Sequence, residues 1–402
     1  MPMKSGFRTK TGIQDALGVF LGAFRPLETT EAIPLEEADG RVLCHDVVAP
    51  RDVPHYDRSA MDGYAVRAAD TFGSSRDAGI FLRLTAEGRL GRGECRPMHT
   101  GSPIPEGADA VVMIENTEAA GSQVEVLGQV SPGQNVGARG EDVAKGQSVF
   151  VAGRQLKPSD VGLLASMGYT KVDVYRRPQV LIIPTGEEIV PRGVEPQAGE
   201  MNESNGVMNF LYVKRYGGEP HVHDIVVDDK AKIAAALKEG AAYDLIVTTG
   251  GSSVGRRDLL PEVVASMGRV LVHGVAIKPG RPVAMGIIET DGKRTPIVCL
   301  PGYPAACAID SMVFVDPAVK KLGHLPAAKY RTEKAVLSRK IASEAGYRTY
   351  TRVSVEGGTA TPLRTKGAGI LSSVSLADGY VIIPEDVEGR DAGETVEVVY
   401  LE

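Results

Sequence analysis

Between Gln179 and Leu322 the chain alternates strand-like and helix-like patterns, and this alternation restricts its architecture more than any other feature. The pattern predicts strands over 179–184, 221–227, 244–249 and 296–300, and helices over 205–216, 230–240, 258–267 and 304–321. Such alternation predicts a doubly wound α/β domain with a parallel sheet, whose ligand crevice lies beyond the carboxyl ends of the strands. The loops that follow the strands are therefore where chemistry is expected.

The flanking segments follow other rules. Ile13, Ala16, Leu17, Phe20 and Leu21 stand at helical spacing and predict an amphipathic helix near the start. From about Glu37 to Phe150 short β runs, such as Phe81–Leu84, Ala110–Met113 and Gln123–Leu127, are punctuated by Gly, Pro and Asp. From about Ala335 to Glu402 the chain returns to short β runs with Gly-rich turns, which predicts a small barrel or sandwich. At 402 residues the chain has length for two or three cores at about 150 residues each. Gly 47 and Pro 25 exceed ordinary usage while 43% of residues are hydrophobic, so a folded, turn-rich protein is expected.

Composition also excludes some functions. The absence of Trp and an aromatic content of 5% argue against a carbohydrate-stacking module or an aromatic single-strand platform. A formal charge of -6 gives no global attraction to nucleic acid or an anionic membrane, so any anion must be held by a local site. Apolar runs are far shorter than the ~20 residues of a membrane helix. Met1 to Lys10 has no apolar signal core, and a cytoplasmic protein is expected. Cys44, Cys95, Cys299 and Cys307 are scattered and read as buried small hydrophobes, not as a disulfide framework or zinc site. His221 and His223 share one face of a strand; a surface face is preferred over a metal pair.

Four loop groups carry candidate chemistry. Thr248-Thr249-Gly250-Gly251-Ser252-Ser253-Val254-Gly255 follows a strand and precedes a helix, so its N–H groups and hydroxyls suit a phosphate. It lacks the P-loop lysine and the dinucleotide glycine spacing. Carboxylates recur at Glu187, Glu188, Glu203, Asp228, Asp229, Asp244 and Asp258, and such oxygen donors suit Mg²⁺, although each alone also fits a cap or turn. Lys278-Pro279-Gly280-Arg281-Pro282 places two cations on a stiff loop suited to a small oxyanion. Leu300-Pro301-Gly302-Tyr303-Pro304 is another strand-to-helix loop, equally consistent with a plain turn. Upstream, Ser59-Ala60-Met61-Asp62-Gly63-Tyr64-Ala65, Thr100–Gly107 and Arg139-Gly140-Glu141-Asp142 read as turns that present polar groups.

Taken in order, these motifs resemble the molybdopterin molybdenumtransferase family, the MoeA-type proteins similar to the E domain of gephyrin. The resemblance runs over essentially the whole chain, and Ser59 to Ala65 is its most specific stretch. It implies an N-terminal module of residues 1–46 and 146–178, a β-rich insert at 47–145, a molybdopterin-binding α/β domain at 179–325 and a C-terminal β-barrel at 326–402. It also implies molybdenum insertion, in which adenylylated molybdopterin and molybdate bind, the adenylate is hydrolysed with Mg²⁺, molybdenum enters the dithiolene and AMP leaves.

Carried over by position, Asp62, Thr100, Asp142, Glu188, Asp228 and Asp258 match the family's functional acidic and hydroxyl positions, with Glu188, Asp228 and Asp258 the implied metal ligands. Gly250, Gly251, Ser252, Ser253, Pro301, Gly302 and Asp244 are assigned to the pterin and phosphate end. Lys278, Arg281, Pro282, Arg348, Arg352, Ser372 and Ser373 are assigned to molybdate. The family is a homodimer, so Asp62 and Thr100 are expected to serve the partner subunit's cleft. An adenylyltransferase-type protein and apo-molybdoenzymes are the implied partners, with no nucleic acid or membrane. Three positions depart from the family pattern: Arg281 replaces a lysine, Tyr303 an asparagine and Gly274 another lysine. The alternatives are a molybdopterin adenylyltransferase, which would not need residues 1–175 or the tail, and a non-catalytic scaffold.

Overall fold

The computed structural model describes residues 11–250, 259–363 and 369–400. The chain forms two compact units, Met1–Glu31 with Tyr175–Glu402, and Ala32–Val174.

The first unit is organised by a six-stranded sheet. Its strands are β1 (Gln179–Pro184), β2 (Glu219–Val222), β3 (Leu245–Thr249), β4 (Gly268–His273), β5 (Ala284–Thr290) and β6 (Lys293–Leu300). Their spatial order is β2-β1-β3-β6-β5-β4. β1 pairs in parallel with β2 and β3, and β3 with β6. Residues alternate between two cores: Val180, Ile182, Leu245 and Val247 face one, while Leu181, Ile183 and Ile246 face the other. Helices cover both faces, so the central positions of β1 and β3 are apolar on both sides.

The four strands expected from the sequence run parallel, and the sheet adds two, β4 and β5, that the alternation did not predict. β5 runs antiparallel to both β6 and β4. The cause is local: Asp291 and Gly292 link β5 to β6 with φ of 51° and 78°, the left-handed pair of a tight hairpin. The helix expected over 304–321 also changes character midway, running from Pro304–Asp310 through a π-helical turn at Ser311–Val315 into Asp316–Leu322. Pro317 has no N–H to give the preceding turn, and the wider turn accommodates that loss. The N-terminal helix, Ile13–Gly22, adds Ile13, Ala16 and Phe20 to the first core.

The C-terminal strands β7 (Arg331–Leu337), β8 (Arg348–Glu356), β9 (Thr359–Pro362), β10 (Gly379–Ile383) and β11 (Thr395–Tyr400) close into a five-stranded barrel. Leu337, Val353, Ala360, Val381 and Val398 belong to its core. A two-residue strand, Ile277–Lys278, adds itself in parallel to β8, with Ile277 opposite Arg348 and Lys278 opposite Thr349. The cationic loop of the α/β domain is thereby stitched to the barrel.

The second unit holds another six-stranded sheet, in the order Ala110–Met113, Gly63–Val66, Glu94–Met98, Ile80–Leu84, Gln123–Val126 and Thr117–Ala120. Its aliphatic core includes Val66, Leu82, Val112 and Val124. Among the described residues no helix is long and apolar enough to cross a membrane.

Candidate functional site

At the carboxyl ends of β1, β3 and β6 three loops converge. The Thr185 N–H donates to the Thr249 carbonyl at 3.0 Å, and the Gly250 N–H to the Leu300 carbonyl at 3.1 Å. Gly250 has a φ of +113°, and a Cβ there would lie 2.1 Å from the Thr185 carbonyl oxygen. Only glycine lets the chain turn so close to β1. A Cβ on Gly302 would lie 3.5 Å from the Gly250 Cα, so the two glycines lie close together on the crevice floor. Pro301 is buried.

Asn205 holds this geometry, and sequence reasoning passed it over. Its Nδ2 donates to the Gly302 carbonyl at 2.7 Å, while Glu203 accepts the Gly206 N–H at the helix start. The available signal was Glu203-Ser204-Asn205 opening a helix right after a strand-loop segment. Beside the crevice, Asp228 is raised above the usual carboxyl range, first by burial and then by the charges of Glu188 and Glu187. Its Oδ1 is buried with no hydrogen-bond partner among the described residues. Glu188 and Glu187 thus lie near enough to Asp228 for their charges to act on it. Gly251, Ser252, Ser253 and Asp258 lie outside the described residues. Among those described, no group of three acidic, His or Cys side chains is spaced to hold a metal ion.

Asp244 requires a correction. It precedes β3 at the opposite end of the sheet from the crevice, where it accepts the Arg176 Nη2 at 2.8 Å and the Gln179 N–H at 2.7 Å. Those bonds tie β1 to β3 at their amino ends, and Asp244 is a clasp, not a ligand contact.

The second constellation gathers around Tyr347. The Lys278 Nζ sits 4.7 Å from the ring centroid and the Arg281 Cζ 5.6 Å from it. Lys278 is also ion-paired with Glu344. Bonds from Val283 N to the Gly280 carbonyl and from Val275 N to the Arg281 carbonyl, both 3.1 Å, brace the loop. Pro282 is half-buried at its end. Arg348, paired with Glu385 at 3.2 Å, neighbours this loop through the Ile277 register. Arg352 lies four residues on in β8, only 4% exposed, and burial lowers its pKa. Ser372 is exposed at the start of the short helix Ser372–Ser375, whereas buried Ser373 gives its hydroxyl to the Ile370 carbonyl at 2.6 Å. The structure joins Lys278, Arg281 and Arg348; the Ser373 hydroxyl is already committed.

In the second unit the upstream motifs form one patch. Asp62 accepts both the Thr100 N–H at 2.7 Å and the Thr100 hydroxyl at 3.1 Å, and these bonds hold its pKa below the usual range. The Gly101 N–H donates to the Ser59 carbonyl at 2.8 Å. Gly63 follows in a cramped ladder, where a Cβ would lie 1.9 Å from the Val112 carbonyl oxygen. The Arg139–Asp142 turn lies against the same strand segment: Glu141 pairs with Arg58 at 3.0 Å, and the Asp142 N–H donates to the Val53 carbonyl at 3.1 Å. Asp62 and Thr100 are thus a directly bonded, exposed pair, and Asp142 leaves the same loop cluster.

The remaining candidates are structural. All four cysteines are buried. His221 bonds Gln179 at 2.6 Å while His223 bonds the Asp224 carbonyl at 2.7 Å.

The fold and its converging glycine loops define a multidomain protein built on an α/β domain with a mixed six-stranded sheet. Three family models match the chain in order: the MoeA N-terminal region (domain I and II) over residues 11–168, the probable molybdopterin binding domain over 181–321, and the MoeA C-terminal region (domain IV) over 334–401. Molybdopterin molybdenumtransferase 2 of Mycobacterium tuberculosis is 33% identical, with 96% of this chain and 97% of that protein covered. The molybdopterin molybdenumtransferase of Bacillus subtilis is 32% identical, with 94% and 91% covered. A crystal structure of the molybdopterin biosynthesis MoeA protein of Pyrococcus horikoshii superposes with a TM-score of 0.83 at 35% identity, covering 98% of this chain and 100% of that one. The chain belongs to the MoeA family of molybdopterin molybdenumtransferases.

Proposed function

We propose that this protein inserts molybdenum in molybdenum cofactor biosynthesis, taking adenylylated molybdopterin and molybdate as substrates and releasing AMP. The observation that carries the reading is the arrangement within one compact unit of a glycine-floored crevice at Gly250 and Gly302, flanking carboxylates, and a cationic loop at Lys278 and Arg281. Close backbone approach suits a phosphate-bearing ligand, and two cations on a braced loop suit a tetrahedral dianion.

The residues divide the work. Gly250 and Gly302 receive the organic ligand, and Asn205 keeps the Gly302 loop in place. Lys278 and Arg281 hold molybdate. The buried, unbonded Oδ1 of Asp228 beside Glu188 is a donor set that suits Mg²⁺, with Asp258 as the implied third ligand. Bound there, Mg²⁺ would neutralise charge on the phosphoanhydride. In a homodimer, Asp62 and Thr100 are assigned to the partner subunit's cleft. Adenylylated molybdopterin would come from an adenylyltransferase-type protein, and the finished cofactor would pass to apo-molybdoenzymes.

The test is reconstitution with adenylylated molybdopterin, Mg²⁺ and low molybdate. The expected result is molybdate-dependent AMP release and a product that activates an apo-molybdoenzyme. AMP release at the same rate without the oxyanion, with no active cofactor formed, would refute the proposal. Formation of adenylylated molybdopterin from ATP and molybdopterin would favour the adenylyltransferase alternative instead.

A further inference from the structure

Asp310 closes the helix Pro304–Asp310 and is completely buried. Neither carboxyl oxygen has a hydrogen-bond partner among the described residues. An unbonded polar group in a core lowers stability, and an apolar residue would fill the space more favourably. What Asp310 touches is informative. A Cβ built on Gly280 would meet its Oδ1 at 2.0 Å, its Cγ at 2.5 Å and its Oδ2 at 2.6 Å. The carboxyl therefore occupies the space immediately behind Gly280, whose φ is +122°, at the centre of the Lys278–Pro282 loop. A Cβ at position 280 and the Asp310 carboxyl in this place exclude one another.

Charge supports the same relation. Burial pushes the Asp310 carboxyl well above its ordinary range, which favours its protonated form in the folded protein. An ionised carboxylate behind Gly280 would offset part of the field of the two cations on the same loop. A neutral one supports the loop and leaves that field intact.

We propose that Asp310 is a positioning residue for oxyanion capture: its carboxyl buttresses Gly280, so that Lys278 and Arg281 are held beside the Tyr347 ring in a geometry that receives molybdate. The inference rests on the assignment of this loop to molybdate. Asp310 touches the loop backbone and acts through it. An unsupported loop would spend its binding energy on ordering the two cations, and the loss would fall on the oxyanion alone.

Titration calorimetry of the full chain with sodium molybdate, combined with steady-state kinetics, tests this. Asp310→Ala should raise Kd and KM for molybdate by about tenfold, leave KM for adenylylated molybdopterin unchanged and keep kcat within about twofold at saturating molybdate. Asp310→Asn, of the same shape and neutral, should restore the molybdate constants to within about twofold. Gly280→Ala, whose new methyl displaces the carboxyl and whose φ of +122° strains alanine, should lose at least as much molybdate affinity as Asp310→Ala, and the double variant no more than Gly280→Ala alone. If Asp310→Ala does not fold, Asp310→Ser carries the same expectation. Lys278→Ala reports on the loop assignment itself and should abolish molybdate binding. Intact molybdate binding in Lys278→Ala would overturn that assignment. If Lys278→Ala abolishes binding while the Asp310 variants lower only the melting temperature, the assignment stands and the positioning role falls.

Discussion

Replacing Asp244 by alanine should weaken the α/β domain without touching its chemistry. The carboxylate accepts two bonds, from Arg176 Nη2 at 2.8 Å and from the Gln179 N–H at 2.7 Å. Its side chain is 10% exposed and that of Arg176 27% exposed, so water replaces these partners poorly. A charge-assisted bond of this kind contributes about 1.5–3 kcal/mol, and a backbone N–H left unpaired costs about 1–3 kcal/mol. Water regained by the partly exposed guanidinium offsets part of the sum, which leaves a net loss of about 2–4 kcal/mol. For a unit of this size that corresponds to a melting temperature lower by roughly 5–12 °C. Asp244→Asn keeps an acceptor for Gln179 and should lose about half as much. Calorimetry gives the melting temperature, and AMP release at 20 °C gives KM for adenylylated molybdopterin. An unchanged melting temperature together with a severalfold rise in that KM would refute the clasp and return Asp244 to the ligand site.

Three further outcomes are expected. Gly250→Ala places a methyl 2.1 Å from the Thr185 carbonyl and forces φ of +113° on alanine, so calorimetric binding of adenylylated molybdopterin should be lost while molybdate binding at the Lys278 loop persists. Glu344→Gln releases Lys278 from its carboxylate partner; the pair is exposed and worth about 0.2–1 kcal/mol, so molybdate affinity should rise up to about fivefold, and less at high salt. Asp310→Asn should flatten the pH dependence of stability. The native acid has a raised pKa, so above the unfolded value near 4 the folded state holds the extra proton, and stability falls by up to about 1.4 kcal/mol per pH unit until the folded pKa is reached. The contribution is full below the unfolded value and lost as pH rises, and urea titrations between pH 4 and 8 should show the native slope and its absence in the variant.

What the sequence determined by itself is local. The β1 and β3 runs, the glycines after β3 and the Lys278–Pro282 loop are contiguous stretches, in which periodicity, positive-φ glycine and proline stiffness act over a few residues. The Asp291-Gly292 hairpin is local in the same way, because a tight turn is set by its own two residues. Proximity in space was not legible. Asp228 and Asp244 are both loop carboxylates flanking strands, yet one lies beside the crevice and the other at the far end of the sheet, a distinction that exists only once strand direction is known. Likewise Lys278 comes to lie by Thr349 through strand pairing, Asn205 reaches the Gly302 carbonyl, and Asp310 packs behind Gly280. Each of these joins segments remote in the chain, and side chains from remote segments meet only where burial of the intervening strands and helices forces them together.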